Sequence, residues 1–141
     1  MKRLVKIAVL SSAFVGAQLI GTAAMAQSAP NGVLNGFVVA TKGITLNCEL
    51  VLTLDAGANE GSIAMNPGDA NCAALNFNGM PYDTSYSSGV LTFHDVDVTT
   101  ITLGDCAGDI SGTWDGTTLL IDDILPAKTA GADCTVEGFA S

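Results

Sequence analysis

Residues 44–54 read Ile-Thr-Leu-Asn-Cys-Glu-Leu-Val-Leu-Thr-Leu, so every even-numbered side chain is apolar. The odd-numbered positions carry Thr, Asn, Glu and a single Val. Because successive side chains of a strand point to opposite faces, this period of two predicts a strand with one buried face and one solvated face. Such strands are typical of antiparallel sheets.

Weaker patterns of the same kind flank this strand. Val33–Thr41 precedes it, and Lys42-Gly43 is the predicted turn of a first hairpin. A β-bulge is predicted near Thr99-Thr100, where the apolar residues change parity. Further strands are predicted at Ser62–Met65, Ala73–Phe77, Val90–His94, Val96–Leu103, Cys106–Trp114, Thr117–Leu125 and around Cys134 and Val136, with loops at Asp55–Gly61, Asn66–Asn71, Met80–Gly89 and Pro126–Gly131.

This arrangement predicts an all-β fold. Roughly seven to nine short strands, with turns about every 8–12 residues, are typical of an antiparallel β-sandwich of the immunoglobulin-like kind. A small β-barrel is the alternative. No internal repeat and no shift of composition divides the sequence, so we expect one domain.

The final hairpin has the clearest turn signal. Asp115-Gly116 stands between two strand patterns and predicts a two-residue type I′ turn. Counting outward from that turn pairs Trp114 with Thr117, so the apolar positions of the two strands match. Trp114 shares parity with these positions, and we expect it in the core.

The same register places several carboxylates together. It sets Asp109 opposite Asp122, with Asp123 adjacent. Like charges in such a pair are unfavourable, and convergent carboxylate oxygens are ligands that Ca²⁺ prefers. Asp109, Asp122 and Asp123 are therefore a calcium candidate, although no EF-hand spacing is present. The alternative is that the hairpin frays before this pair and the acids are solvated.

The first 26 residues have the pattern of a secretory signal peptide. Lys2, Arg3 and Lys6 precede an apolar run that ends Ala24-Met25-Ala26, which predicts cleavage before Gln27 and a secreted β-domain over residues 27–141. Polar residues interrupt the run and no second apolar span follows, so a membrane anchor is the weaker interpretation. We expect an extracellular or periplasmic protein, with the cell surface included.

Charge excludes one class of partner. The chain has a net charge of −9, and without residues 1–26 only Lys42 and Lys128 stand against 14 acidic side chains, a net charge of −12. Two cations are too few to bind nucleic acid through its phosphates. A hydrophobic content of 48% is too high for a disordered chain.

The cysteines indicate disulfides rather than a metal site. Cys48, Cys72, Cys106 and Cys134 all follow the predicted leader, and an even count in an oxidising compartment predicts two bonds with three permitted pairings. We favour Cys48–Cys72 and Cys106–Cys134, because each pair brackets one half of the chain. No C-x-x-C occurs and His94 is the only histidine, so no cofactor is predicted.

Catalysis is not expected. His94 lies near Asp95 and Asp97, but no G-x-S-x-G elbow accompanies them. Ser85, Ser87 and Ser88 fall in the predicted loop 80–89, where a nucleophile is poorly preorganised.

Two sites are candidates for exposed apolar surface, which marks interaction sites. Leu120 points away from the face that holds Ile121, and Phe37 and Val39 oppose Val38 in the same way. The alternative is that a loop covers the second face.

The C-terminal motif carries a family resemblance. The pattern Cys-x-Gly-x-x-x-Gly-x-Trp over residues 106–114, a turn, a strand ending in Leu125-Pro126, and Cys-x-x-x-Gly over residues 134–138 resemble the PraB-like family. These are small secreted bacterial proteins described as protein activators of alkane oxidation. The matching positions Cys106, Gly112, Trp114 and Cys134 are framework residues rather than a site. The structural motif also includes Gly108, Asp115 and Gly116, although the acidic hairpin, with Asp115, departs from the family pattern.

The resemblance implies a non-enzymatic extracellular protein that helps cells to use hydrocarbons by dispersing oil or promoting contact with it. Its partner would be a hydrocarbon surface. Two other functions stay open. One is a structural subunit of a surface fibre or biofilm matrix, in which self-association donates the strand Val33–Thr41 to a neighbour. The other is a periplasmic or extracellular binding module.

Overall fold

The computed structural model describes residues 27–100 and 104–141. The predicted signal peptide lies outside these residues, as does the end of the predicted strand Val96–Leu103. The described chain forms nine strands and one short 3-10 helix at Cys72–Ala74. The strands are β1 (Gly32–Lys42), β2 (Ile44–Asp55), β3 (Glu60–Gly68), β4 (Asn76–Asn78), β5 (Tyr82–Ser87), β6 (Val90–Thr99), β7 (Cys106–Trp114), β8 (Leu119–Leu125) and β9 (Cys134–Ala140).

Eight of the strands close into an antiparallel barrel. Their order around the wall is β5-β3-β2-β1-β9-β8-β7-β6, and β6 pairs with both β7 and β5. The short β4 lies beside the C-terminal half of β6, where Phe77 pairs with Val98. The predicted all-β antiparallel fold is confirmed, but the immunoglobulin-like sandwich is wrong and the small barrel is correct. The pairing of β6 along both edges is what closes the sheet.

The alternating apolar side chains of residues 44–54 fill the barrel interior. Leu46, Cys48, Leu50, Leu52 and Leu54 are buried, while Ile44 beside the turn is exposed. The first hairpin forms as predicted, with Thr41 opposite Thr45 around Gly43.

The middle of the chain is more regular than its sequence predicts. The predicted loop 80–89 contains β5. In this strand Tyr82, Thr84 and Tyr86 alternate toward the interior, but the polar residues between them made the segment resemble a loop. The bulge of β6 lies between Phe93 and Val96 instead of near Thr99-Thr100. Only the end of the predicted strand 73–77 is extended, because the 3-10 helix comes first.

The last hairpin has a longer turn than predicted. Trp114 pairs with Leu119 instead of Thr117. The cause is Asp115, whose Oδ1 accepts the N–H groups of Thr117 and Thr118 at 2.8 and 2.7 Å. These bonds hold a four-residue turn, 115–118, and lower the pKa of the Asp115 carboxyl. The register therefore shifts by two residues, which leaves the inward-facing set unchanged.

The β7–β8 seam is interrupted. The two strands pair from Gly112 to Trp114, and β7 next meets the segment that follows β8, at the bridge between Cys106 and Ala127. Between these points the Asp123 carboxylate accepts the N–H of Ser111 at 2.7 Å. A side chain thus replaces the strand-to-strand bonds at this part of the wall.

Two disulfides connect the strands, and they have the pairing that the sequence favoured. Cys48–Cys72 joins β2 to the 3-10 helix, and Cys106–Cys134 joins β7 to β9 past the interrupted seam. All four cysteines are buried. Over residues 27–100 and 104–141, the structure has no helix long and apolar enough to cross a membrane.

Candidate functional site

A row of three apolar side chains crosses the outside of the barrel. Strand β9 lies between β1 and β8, and its Phe139 pairs with Phe37 on one side and with Leu120 on the other. Phe37, Phe139 and Leu120 are 54%, 44% and 56% exposed. The two sites that the sequence offered separately are therefore one surface, which β9 completes.

Alternation along each strand holds this row outside the core. The neighbours Val38, Ala140 and Ile121 are buried, so the residues beside them must face solvent. The Phe37 and Phe139 rings lie with centroids 6.5 Å apart and planes at 50°, within the range where aromatic pairs attract. Val39, the next outward residue of β1, extends the row. We call Phe37, Val39, Leu120 and Phe139 the outer patch.

Carboxylates border the outer patch. Glu49 on β2 pairs with Phe37, and Glu137 on β9 pairs with Val39. Glu137 also faces Asp122 of β8. Such a like-charge pair costs about 0.2–1 kcal/mol across two strands. The patch is thus an apolar surface with a negative rim.

Phe139 is the patch residue that the sequence analysis did not single out. The strand Cys134–Ala140 buries Cys134 and Ala140, which share one parity, and exposes Phe139. Its exposure could have been predicted from that parity. Its position between β1 and β8 could not, because it depends on pairing between distant segments.

The calcium candidates are dispersed. Asp109 contacts His94 and the backbone of Asp95, Asp122 faces Glu137, and Asp123 holds the β7–β8 seam. The two-residue register shift separates Asp109 from Asp122. In the part of the chain that the structure describes, no three His, Cys, Asp or Glu side chains are grouped to hold a metal ion.

Ser85, His94 and Asp109 form a hydrogen-bonded chain on the outer surface. Ser85 Oγ lies 2.8 Å from His94 Nε2, and His94 Nδ1 lies 3.2 Å from Asp109 Oδ2. Asp109 Oδ1 accepts the N–H of Asp95 at 3.0 Å. This backbone bond is the main cause of a lowered pKa for the Asp109 carboxyl, and His94 lowers it further. The predicted loop position of Ser85 is wrong, since it lies on β5.

The order of these contacts is that of a hydrolase triad, but their environment differs. In such a triad the aspartate is buried, whereas the Asp109 and His94 side chains are 54% and 37% exposed. The bond from Asp95, which has a positive φ of 52°, shows the local role of Asp109. It fixes the backbone of the β6 bulge.

A second apolar surface lies inside the barrel, at the end that carries the β1–β2 turn. It is a cavity of about 60 Å³, walled almost wholly by apolar side chains. Val38, Ala40, Leu46, Val98, Leu125 and Val136 are among its lining residues. Lys42 also lines it.

Lys42 is the one buried charged side chain of the described residues, at 7% exposure. Its Nζ donates to the carbonyl of Ala132. The ion pairs formed among residues 27–100 and 104–141 involve His94 and Lys128, and none involves Lys42. The sequence predicts Lys42 in the turn of the first hairpin. Its shared parity with Leu34 and Val38 was the signal that it points inward.

The family motif residues build the framework. A side-chain carbon at Gly112 would come within 2.9 Å of the Leu120 carbonyl, and Gly108 packs against Pro126. Trp114 is partly buried and packs against the core instead of lying within it, while Asp115 and Gly116 lie in the turn.

Comparison with known proteins gives one match. A family model described as alkane oxidation protein activator PraA/PraB-like matches residues 1–141, the whole chain. No curated protein and no solved structure matches the chain.

Proposed function

The chain belongs to the alkane oxidation protein activator PraA/PraB-like family, and from this premise we propose that it is a non-enzymatic accessory protein that adsorbs to hydrocarbon through the outer patch. The observation that carries this proposal is the row of Phe37, Phe139 and Leu120, which stands exposed on a rigid wall. Large apolar side chains grouped in this way are typical of interaction surfaces.

Adsorption follows from the transfer of these side chains out of water. Full burial of a Phe or Leu side chain gains about 1.5–3 kcal/mol, and the side chains of the row are already half covered. Each then contributes roughly 1 kcal/mol on contact with oil. A few such contributions support reversible adsorption, with the barrel still folded.

The negative rim supports dispersal rather than coalescence. Glu49, Glu137 and Asp122 stay in water when the patch touches oil, since they lie at its border. Without residues 1–26 the chain has a net charge of −12. Droplets coated with such a protein repel each other at a range set by the ionic strength.

A location outside the cytoplasm fits this role. The two buried disulfides are typical of proteins in oxidising compartments. Together with the predicted leader, they support secretion to the medium or the cell surface, where hydrocarbon is met.

The test is the interfacial tension between hexadecane and water, measured with the purified protein in its oxidised form. We expect the wild type to lower the tension and the double variant Phe37→Ser/Phe139→Ser to lose most of this effect. The matched control is Val33→Ser/Val90→Ser, which removes two exposed apolar side chains outside the patch. Equal tension for the two double variants would contradict a role for the patch.

The structural-subunit hypothesis remains as the second candidate, because the outer patch could equally be covered by a second copy. Within one copy β1 is paired with β2 and β9, so donation of this strand would require both pairings to be exchanged between copies. Sedimentation of the same samples separates the two functions. Polymers without interfacial activity would overturn the proposal, and a monomer that lowers the tension would overturn the alternative.

A further inference from the structure

The end of the barrel that carries the β1–β2 turn combines an apolar cavity with a buried lysine, Lys42, that forms no ion pair with the described residues. A buried ammonium group normally has a carboxylate beside it, because burial removes the water that stabilises its charge. Lys42 instead donates to a neutral carbonyl, that of Ala132, although acidic side chains outnumber basic ones by 14 to 5 in this chain. None of the described residues thus supplies a counter-ion for Lys42, and a bound ligand could supply one.

The chemistry beside Lys42 indicates what that anion is attached to. Lys42 lines the cavity together with aliphatic side chains such as Leu46 and Val136, and the other polar residues of the wall are Thr41 and Thr100. An anion held by Lys42 would therefore carry an apolar chain.

We propose that the barrel binds one aliphatic carboxylate, with its headgroup on Lys42 Nζ and its alkyl chain in the cavity. This site is separate from the outer patch and does not rest on the proposed function. A terminal carboxylate is also what full oxidation of an alkane methyl group produces. The ligand would then be a product of the alkane oxidation that the family name describes.

The size of the cavity limits the chain. One water molecule needs about 10–15 Å³ of cavity volume measured in this way, so a cavity of about 60 Å³ accepts several water-sized groups. This is enough for a short run of methylenes and too little for a long chain held in full. Met65, Leu75 and Phe77, which line the cavity and are only partly buried, are the side chains whose rotation would lengthen it.

The test is a titration of the oxidised protein with sodium octanoate, followed by calorimetry and by the methyl NMR signals of Val38, Leu46 and Val136. We expect saturable binding of one octanoate, with shifts confined to the cavity. Lys42→Met, which keeps the length of the side chain, should weaken octanoate at least tenfold and leave 1-octanol unchanged. The control is Lys128→Met, because Lys128 is exposed and already paired with Asp97.

A second variant keeps the test decisive if Lys42→Met does not fold. Ala40→Leu places a larger side chain in the cavity and should reduce the binding of octanoate and octanol alike. Phe37→Ser/Phe139→Ser should bind octanoate as the wild type does, so that failure of this inference and failure of the proposed function are distinguishable. Octanoate binding that is unaffected by both Lys42→Met and Ala40→Leu would overturn the proposal. Tighter binding of octyl sulfate than of octanoate would overturn the choice of a carboxylate.

Discussion

The two apolar surfaces of this barrel differ in the charge that stands beside them. The outer patch is open to solvent and bordered by the carboxylates of Glu49, Glu137 and Asp122. The cavity is only partly enclosed and has Lys42 in its wall. The outer patch is suited to contact with a neutral oil surface, and its carboxylates would keep coated droplets apart. The cavity is suited to a single molecule with a negatively charged end.

One strand supplies both surfaces. The odd-numbered residues Phe37 and Val39 of β1 face outward, while Val38, Ala40 and Lys42 face the interior. Two different apolar environments are therefore only one residue apart in the sequence. We therefore expect a substitution on one face of β1 to alter one surface and to leave the other unchanged.

The largest effect is expected where both surfaces share backbone. Gly138 lies on β9 against β1, and a side-chain carbon there would clash with the carbonyl of Phe37 and come within 2.7 Å of the Val38 Cα. Gly138→Ala must separate the two strands, and we expect a loss of more than about 3 kcal/mol. Denaturant unfolding measures it.

The control for this change is Gly57→Ala, since an added carbon at Gly57 meets only the Asp55 side chain at 3.4 Å. Both surfaces should be lost together in Gly138→Ala. A Gly138→Ala protein with normal stability would show that the close β1–β9 contact is not needed.

Removal of the Cys106–Cys134 disulfide comes next. A cross-link between residues 28 apart stabilises a fold by about 3 kcal/mol in the chain-entropy model. The double variant Cys106→Ala/Cys134→Ala should unfold at lower denaturant. Because Cys134 lines the cavity, octanoate binding should fall more than interfacial activity.

The comparison variant is Cys48→Ala/Cys72→Ala, which opens a loop of similar separation, 24 residues, with neither cysteine in the cavity wall. Its loss of stability should be similar, with octanoate binding less affected. The reverse order of octanoate binding would place the ligand elsewhere in the barrel.

Leu120→Ser is expected to act on the outer patch alone. Leu120 is an exposed side chain, so the free energy of unfolding should change by no more than about 0.5 kcal/mol. Interfacial activity should fall by less than in Phe37→Ser/Phe139→Ser, because the aromatic pair remains. Tension and octanoate titrations on the same sample measure this, and a change in octanoate affinity would contradict the independence of the two surfaces.

The smallest effect is expected from Asp109→Asn, which touches neither surface. The lowered pKa of Asp109 means that its carboxylate stabilises the fold above the ordinary pKa and that this contribution is lost as the pH falls through the folded-state value. Because Asp109 is half exposed, the loss at neutral pH should be only a few tenths of a kcal/mol, below about 0.5 kcal/mol.

Unfolding curves between pH 2 and pH 7 measure this effect. The Asp109→Asn variant should lose less stability on acidification than the wild type. Asp83→Asn, an exposed acid on β5, is the control. If the wild type and Asp109→Asn lose the same stability between pH 7 and pH 2, the role of Asp109 at the β6 bulge would be contradicted.

Much of the barrel was predictable from local pattern. The strand around Leu50, the turn at Gly43 and the inward set near Ile121 follow from alternation, which acts between neighbouring residues. The register of the last hairpin was not, because the carboxylate of Asp115 caps the backbone of Thr117 and Thr118. The Asp115 side chain thereby gives a four-residue turn, where the Asp-Gly pair alone predicts a turn of two residues.

The sites needed information that local pattern does not hold. Leu120 and Phe37 were recognisable as exposed apolar residues, but only the position of β9 joins them. Sandwich and barrel share the same alternation, and closure depends on whether β6 finds a partner along both edges. The burial of Lys42 was not predictable either, because a lysine beside a turn glycine is usually solvated.

Under the proposed function, closure of the wall also sets the mechanics of a coated droplet. Free strand edges are what allow proteins to join into continuous sheets, and most of the barrel wall is paired along both edges, although β3 meets β5 only at Glu60 and Gly61. Adsorbed copies would therefore meet mainly through side chains and through mutual repulsion. We expect such a coat to behave as a two-dimensional fluid that flows and reseals when the oil surface is stretched, rather than as a brittle skin.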